Sequence, residues 1–270
     1  MIRRCLHRPT GRPYACAVGL FTRAPSISDA VWNRTVGSLP IIDRLDDQEM
    51  ERLRSLAQNF VRRMQFRWTD DLTPDDAVPA CVAVQACLPV LNLGLSWYSR
   101  WKTVLIVPED YETDVTNIDE AGVVHEGTEF AAGEYDSFGL IVMSLIDIDQ
   151  SGRGTGYNVI IHEAAHVIDA RTGAVDGAPP LHTDMDPRRW TNAFTAAYDD
   201  LQRRAISRGK RTRRKSALDP YAAEAPEEFF AVTSEMFFER PLRLRSEYPA
   251  VYDELALFYR QNPGESSDVR

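Results

Sequence analysis

His162 and His166 stand four residues apart in the segment NVIIHEAAHVID (Asn158–Asp169), and Glu163 directly follows the first of them. On an α-helix, positions i and i+4 face the same way one turn apart, so two imidazoles at this spacing can converge on one point. Imidazole is a favoured neutral ligand for zinc, and a glutamate beside the first histidine can reach a water on the metal without itself coordinating. This is the His-Glu-x-x-His pattern of metal-dependent peptide hydrolysis. The chain has only five histidines, which makes the pairing informative. Val159, Ile160, Ile161, Ala164, Ala165, Val167 and Ile168 leave the segment apolar nearly all round, and such a helix is a buried one. Polar side chains buried there need partners, because an unpaired polar group in a core is costly. A metal ion supplies one.

A catalytic zinc takes three protein ligands and leaves a fourth position for water. His7 lies in an aperiodic start, and His125 and His182 lie in loops with nothing around them to recommend them. The acids of DPYAAEAPEEFFAVTSEMFFERP (Asp219–Pro241) are better placed. Pro226 suits the first turn of a helix, which sets Glu227 and Glu228 at its start. Spacing alone does not choose between Glu227, Glu228 and Glu235. Asp169, three residues after His166, is suited either to holding a ligand from behind or to capping the helix end, with a solvated position as the plain alternative. Glu235 is open to the same role.

Other elements must carry these residues. From Leu45 to Met64 the positions Met50, Leu53, Ala57, Phe60 and Met64 form one helical stripe behind an acidic start. ACVAVQACLPVLNLGL is too apolar for a surface helix and reads as a core helix broken near Pro89. Lys102–Pro108 and Phe138–Ile148 are short, β-branched and apolar, the signature of strands, with a hairpin expected near Gly122–Glu126 between them. Phe138–Ile148 reads as a core strand or as an edge on which an extended peptide pairs. After Ser151 the pattern turns helical. One helix holds the histidine motif and stops at Thr172–Gly173, and one spans Pro187–Ile206 with Trp190, Phe194, Ala197 and Leu201 on one face. Two more cover Pro226–Glu239 and Ser246–Arg260. Strands followed by helices predict a single α+β domain over residues 31–264, with a flexible extension at 1–30 and a short tail at 265–270.

Composition narrows the classes. A hydrophobic content of 44% is enough for a proper core, and a net charge of −9 argues against a general nucleic-acid binder. Nothing approaches the roughly 20-residue apolar run of a membrane-spanning helix. The basic start MIRRCLHRPTGRPYACAVGLF is broken by Pro9 and Pro13 and lacks a clear cleavage site, so the cytoplasm is the default compartment. Cys5, Cys16, Cys81 and Cys87 form neither a metal pair nor a disulfide framework, and the latter two read as small buried thiols. Arg203–Lys215 carries eight Lys and Arg and no acid, which fits a solvated loop or, more sharply, a docking surface for an acidic partner.

HEAAHVID, followed about sixty residues on by YAAEAPEEFFAVTSEMFFERP, resembles the Mlc titration factor A family of bacterial zinc peptidases. AVQACLPVLNLGL, GVVHEGTEFAAGEYDSFGLIVMSLIDI and YPAVYDELALFYRQNP fit the same pattern, so the resemblance runs from Leu39 to Pro263. It implies a gluzincin-type, zincin-like metallopeptidase domain whose core also looks like that of anthrax lethal factor. A small sheet would pack against the His-Glu-x-x-His helix, with a mainly helical C-terminal half. It implies one Zn2+ on His162, His166 and Glu228, with Glu163 as the water-activating glutamate. Tyr221, seven residues before Glu228, matches the family's functional tyrosine. The implied activity is aminopeptidase-like cleavage of short peptides. The implied alternative is sequestration of the DNA-binding glucose repressor Mlc, with peptidase activity secondary. Residues 1–30 have no counterpart in the pattern, and the arginine-rich run before Ser216 looks like an elaborated loop. The Gly-x-Met-Glu-Asn motif that anchors a substrate amine in large gluzincin aminopeptidases is missing.

Overall fold

The computed structural model describes residues 6–7, 26–69, 72–109, 111–118, 124–131, 133–135, 139–206, 216 and 218–265, with backbone alone for 6–7, 111–118, 124–131, 133–135 and 206. Its strands are β1 (Leu6–His7), β2 (Gln65–Trp68), β3 (Thr103–Val107), β4 (Tyr111–Ile118), β5 (Val124–Ala131), β6 (Gly133–Tyr135) and β7 (Leu140–Ser144). Its α-helices are α1 (Asp29–Val36), α2 (Asp47–Arg63), α3 (Ala77–Cys87), α4 (Leu145–Gln150) and α5 (Val159–Asp169), then α6 (Pro187–Ile206), α7 (Pro226–Glu239), α8 (Pro241–Glu247) and α9 (Pro249–Tyr259). The result is a mixed helix-and-sheet architecture whose later part is mostly helical.

The sheet that bears on the site has the order β2-β3-β7-β6, with the first three strands parallel and β6 antiparallel to β7. Side chains alternate across it. Val104, Ile106, Ile141 and Met143 join the main core, while Leu105, Val107, Leu140 and Val142 form a thinner apolar layer of their own. Helix α5 packs against β6 and β7 on one side and against α3 and α7 on the others. A second, three-stranded sheet has the order β1-β4-β5.

Several helices start where local chemistry says they should. Asp46 and Glu49 form a reciprocal capping box at the start of α2, whose Leu53, Ala57, Phe60 and Val61 are buried. Pro226 occupies the first turn of α7 and Pro187 that of α6, whose Trp190, Phe194, Ala197 and Leu201 all face the core.

The structure corrects three expectations. Phe138–Ile148 is not one strand. After β7 the chain turns into α4, because Ser144 caps it by accepting from the Asp147 amide at 3.0 Å. Nor is β7 an edge, since it lies between β3 and β6 and leaves β2 and β6 at the borders of that sheet. The final helix Ser246–Arg260 is two, α8 and α9, because Pro249 forces the preceding Tyr248 out of helical geometry, to φ −130° and ψ 68°. The hairpin is present: β4 and β5 pair antiparallel with Ile118 opposite Val124. Most of the basic run Arg203–Lys215 lies outside the described residues, as do Cys5 and Cys16. Cys87 is fully buried and Cys81 half-buried. Among the described residues no helix is long and apolar enough to cross a membrane.

Candidate metal centre

Helix α5 brings the two histidines to one place. Its start is fixed by Asn158, whose side chain accepts from the Ile161 amide at 3.0 Å. Ile160, Ile161, Ala164, Val167 and Ile168 bury the rest of its circumference, so the helix cannot roll without exposing apolar surface. The loop leading into it, Ser151–Tyr157, approaches its neighbours very closely. At Gly152, φ is +82° and a Cβ would stand 2.5 Å from Leu39 Cδ2 and 2.6 Å from Gln85 Oε1. At Gly156, φ is +101° and a Cβ would stand 2.7 Å from Met236 Sδ on α7.

Helix α7 delivers the acid. His162 Nε2 lies 3.1 Å from His166 Nε2 and 3.1 Å from Glu228 Oε2, and the third side, His166 Nε2 to Glu228 Oε2, is 3.5 Å. Donor atoms about 2.0–2.1 Å from a tetrahedral zinc stand about 3.3 Å apart, so the triangle has the size of one face of such a site. Glu228 Oε2 is buried yet makes no well-formed hydrogen bond. His162 Nδ1 donates to Glu235 Oε1 at 2.8 Å, which leaves Nε2 of a neutral ring with its lone pair turned towards the other two. Three electron-rich atoms converging in a buried place call for a cation. Among the described residues this is the one trio of His, Cys, Asp or Glu arranged to hold a metal.

The electrostatics agree. Burial works against charge on His162, but hydrogen bonds with Glu228 and Glu235 and the nearby charges outweigh it and lift its pKa well above the ordinary value. Burial would raise Glu228, yet His162 and His166 hold it below the usual carboxylate range. Each side thus favours its charged form because positive charge is wanted at this point.

Glu163 is 1% exposed, and its Oε2 has no hydrogen-bond partner among the described residues. Burial raises its pKa, the two histidines pull it down, and Glu228 and Glu235 push it up again, with a net upward shift. A carboxylate kept basic beside a cluster of donors is suited to taking a proton from water. Tyr221 sits on a 3-10 turn, Pro220–Ala223, held by Asp219, which accepts from the Tyr221 amide at 2.9 Å. Tyr198 pins the same turn to α6 by donating to the Ala223 carbonyl at 3.2 Å. The Tyr221 ring lies 6.2 Å from that of His162, and 45% of the residue is exposed. Burial of its hydroxyl and the charge of the nearby Glu228 carboxylate push its pKa up, so it stays a protonated donor.

Of the residues weighed in the sequence, His162, His166, Glu228, Glu163 and Tyr221 therefore come together. Glu227 is not in the cluster. His182 points elsewhere, donating to the Phe258 carbonyl at 2.8 Å and stacking on the Phe258 ring. His7 and His125 lie on β1 and β5, where side chains are outside the described residues. Asp169 is fully buried and accepts from the amides of Asp176 and Gly177 at 2.9 and 2.7 Å, so it anchors the loop that follows α5 and does not sit in solvent. Sequence reasoning missed the anchors around Asn158. Its Nδ2 donates to Gln85 Oε1 and to Glu239 Oε1, each at 2.8 Å, and its amide donates to Glu235 Oε2. The only signal was spacing, since residues 228, 235 and 239 share one face of α7.

Comparison with known proteins follows the same lines. Residues 19–260 match the family model described as glucose-regulated metallo-peptidase M90. The chain belongs to this family. Among relatives of the M90 peptidase, Mlc titration factor A of Edwardsiella ictaluri is 35% identical over 243 residues, covering 90% of this chain and 92% of that protein. The Mlc titration factor A proteins of Salmonella arizonae and Salmonella schwarzengrund are each 32% identical, covering 88% of this chain and 93% and 88% of their own lengths. The resemblance to the Mlc titration factor A family is borne out over nearly the whole chain. As an M90 metallopeptidase it is expected to hold a metal ion, and the donor set just described fits one: two imidazole nitrogens and a carboxylate oxygen that is buried and unsatisfied.

Proposed function

We propose that this M90 family member is a zinc-dependent peptidase of the gluzincin type, acting like an aminopeptidase on short peptides in the cytoplasm, with residues 31–264 as its catalytic domain. The observation that carries the proposal is the 3.1, 3.1 and 3.5 Å triangle of His162, His166 and Glu228 donors beside the buried Glu163 carboxylate, whose Oε2 has no hydrogen-bond partner among the described residues. Two nitrogens and one oxygen at that spacing suit zinc and leave a fourth position for water.

Zinc held there supplies Lewis acidity, which lets water ionise near neutral pH and polarises a carbonyl. Glu163 takes the proton from the attacking water and passes it to the departing amine, so one group serves as base and then as acid. Its raised pKa suits both halves of that cycle. The Tyr221 hydroxyl, protonated and on the open side of the site, donates to the oxygen that gains negative charge as the carbonyl becomes tetrahedral. Burial of α5 excludes water from behind the histidines, which strengthens each of these interactions.

The test compares the wild type with Glu163→Gln for zinc content and for cleavage of chromogenic aminoacyl substrates and a mixed peptide pool. Equal zinc in both, with cleavage lost only in the variant, supports the proposal. Equal cleavage in both removes Glu163 from the chemistry.

A second reading has its own support. The relatives are named for titrating Mlc, and this chain covers about nine-tenths of them. On that reading the chain binds a repressor of the Mlc type and any peptidase activity is secondary. A buried Glu163 whose Oε2 lacks a hydrogen-bond partner among the described residues, at a cost in stability, favours the enzyme. Copurification of a repressor with a protein that cleaves nothing would favour binding.

A further inference from the structure

Glu235 faces two groups that both donate. Its Oε1 accepts from His162 Nδ1 at 2.8 Å, and its Oε2 accepts from the backbone amide of Asn158. The residue is 5% exposed, so water does not substitute for either partner. Only a carboxylate offers two acceptor oxygens in this geometry. A glutamine of the same shape would turn its NH2 against one of the two N–H groups.

The consequence for His162 is specific. A hydrogen bond from Nδ1 to a carboxylate keeps the proton on Nδ1, leaves the Nε2 lone pair free and stops the ring from flipping about its χ2 axis. The Nε2 so aimed is the atom that lies 3.1 Å from both His166 Nε2 and Glu228 Oε2. Glu235 stands on the same helix as Glu228, seven residues on, and it also holds the residue that caps α5. One side chain thereby ties the carboxylate-bearing helix both to the start of the histidine helix and to a histidine on it. Among the described residues His166 has no equivalent, since its Nδ1 is buried without a hydrogen-bond partner.

We infer that Glu235 is a positioning residue that presents His162 Nε2 to the metal, acting through the imidazole and never touching the ion. This rests on the metal reading of the site. Glu239 provides an internal comparison. It is on the same helix, it is 6% exposed, and it accepts from Asn158 Nδ2 and the Gly152 amide at 2.8 and 2.9 Å, but it does not reach either histidine.

The experiment titrates Zn2+ against a chromophoric chelator into the full-length wild type, Glu235→Gln and Glu239→Gln, with thermal unfolding of the metal-free proteins alongside. The expected result is Zn2+ affinity weakened about 10–100-fold by Glu235→Gln and unchanged by Glu239→Gln, although both lower the unfolding temperature. A wild type that binds no Zn2+ overturns the metal reading together with this inference. A wild type that binds, with Glu235→Gln binding equally well, overturns this inference alone. Equal weakening by both variants also overturns it, because helix docking then accounts for the loss. Should Glu235→Gln fail to fold, the Zn2+-loaded wild type decides by NMR. A slowly exchanging, downfield Nδ1 proton on His162 supports the role, and a rapidly exchanging one contradicts it.

Discussion

Glu228 Oε2 and His162 Nε2 lie 3.1 Å apart although they come from α7 and α5, sixty-six residues apart in the chain. Neither atom has a satisfactory partner in the other. With Nδ1 donating to Glu235, a neutral His162 ring turns a lone pair towards the carboxylate oxygen, and without a metal ion only a further proton on Nε2 joins the two. Their approach is stabilised by a shared cation, which places metal binding and the docking of the two helices in the same equilibrium.

Removing the acid should therefore cost metal and stability together. Glu228→Ala is expected to lower zinc stoichiometry below one per chain after dialysis and to abolish the rise in unfolding temperature that zinc gives the wild type. Elemental analysis and thermal unfolding with and without zinc check this, since an ion that binds only the folded state stabilises it by mass action.

Glu163→Gln keeps the shape of the side chain and removes its basicity. Zinc content should stay at the wild-type level while kcat falls by at least about 100-fold, the lower range for loss of general acid–base help. A variant that loses zinc as well would show that Glu163 is a ligand.

Tyr221→Phe removes one donor from the open side of the site and nothing from the core. A drop of about 100-fold in kcat with little change in KM or zinc content is expected, the size typical of a lost oxyanion donor. An effect confined to KM would reassign Tyr221 to substrate binding.

Asp169 gives a dependence on pH. Burial pushes its carboxyl up to about 6, against the hydrogen bonds from Gly177 and Asp176. The folded state thus holds this proton more tightly than the unfolded chain, whose aspartate titrates near 3.9. Between about pH 4 and 6 the folded protein binds more protons here, so this group's contribution to stability falls as pH rises. Urea unfolding of metal-free wild type and Asp169→Asn across that window should show the variant gaining on the wild type as pH increases. Parallel curves would contradict the assignment.

Phe230 checks the packing behind α7. It is fully buried, with its ring centroid 6.1 Å from that of Phe258 and 6.0 Å from that of Trp190. Phe230→Ala is expected to cost about 3–5 kcal/mol and to lower the unfolding temperature by about 10 °C.

Much of this was legible in the residues. The 3.6-residue stripes of α2 and α6 and the proline at the start of α7 located three helices because local propensity and burial agree there. The His-Glu-x-x-His spacing brought two imidazoles to one place because a helix fixes i and i+4 by itself. Spacing could not choose among Glu227, Glu228 and Glu235, since that depends on how α7 docks on α5, and the family resemblance was needed to single out Glu228. The short strand β2 was missed because QFRW follows a helix directly and is stabilised by its parallel pairing with β3, a contact distant in sequence. The β-branched run through Ile148 concealed the start of α4, where a serine cap overrides strand propensity. Asn158 and Glu239 gave no warning, as their roles exist only once α3, α5 and α7 meet.

The most direct test is a crystal structure of the purified protein with anomalous diffraction measured on both sides of the zinc absorption edge. A single zinc peak about 2.0–2.2 Å from His162 Nε2, His166 Nε2 and a Glu228 carboxylate oxygen is the predicted result. A zinc-replete protein with no peak between those three side chains, or with a peak held by other residues, would contradict it.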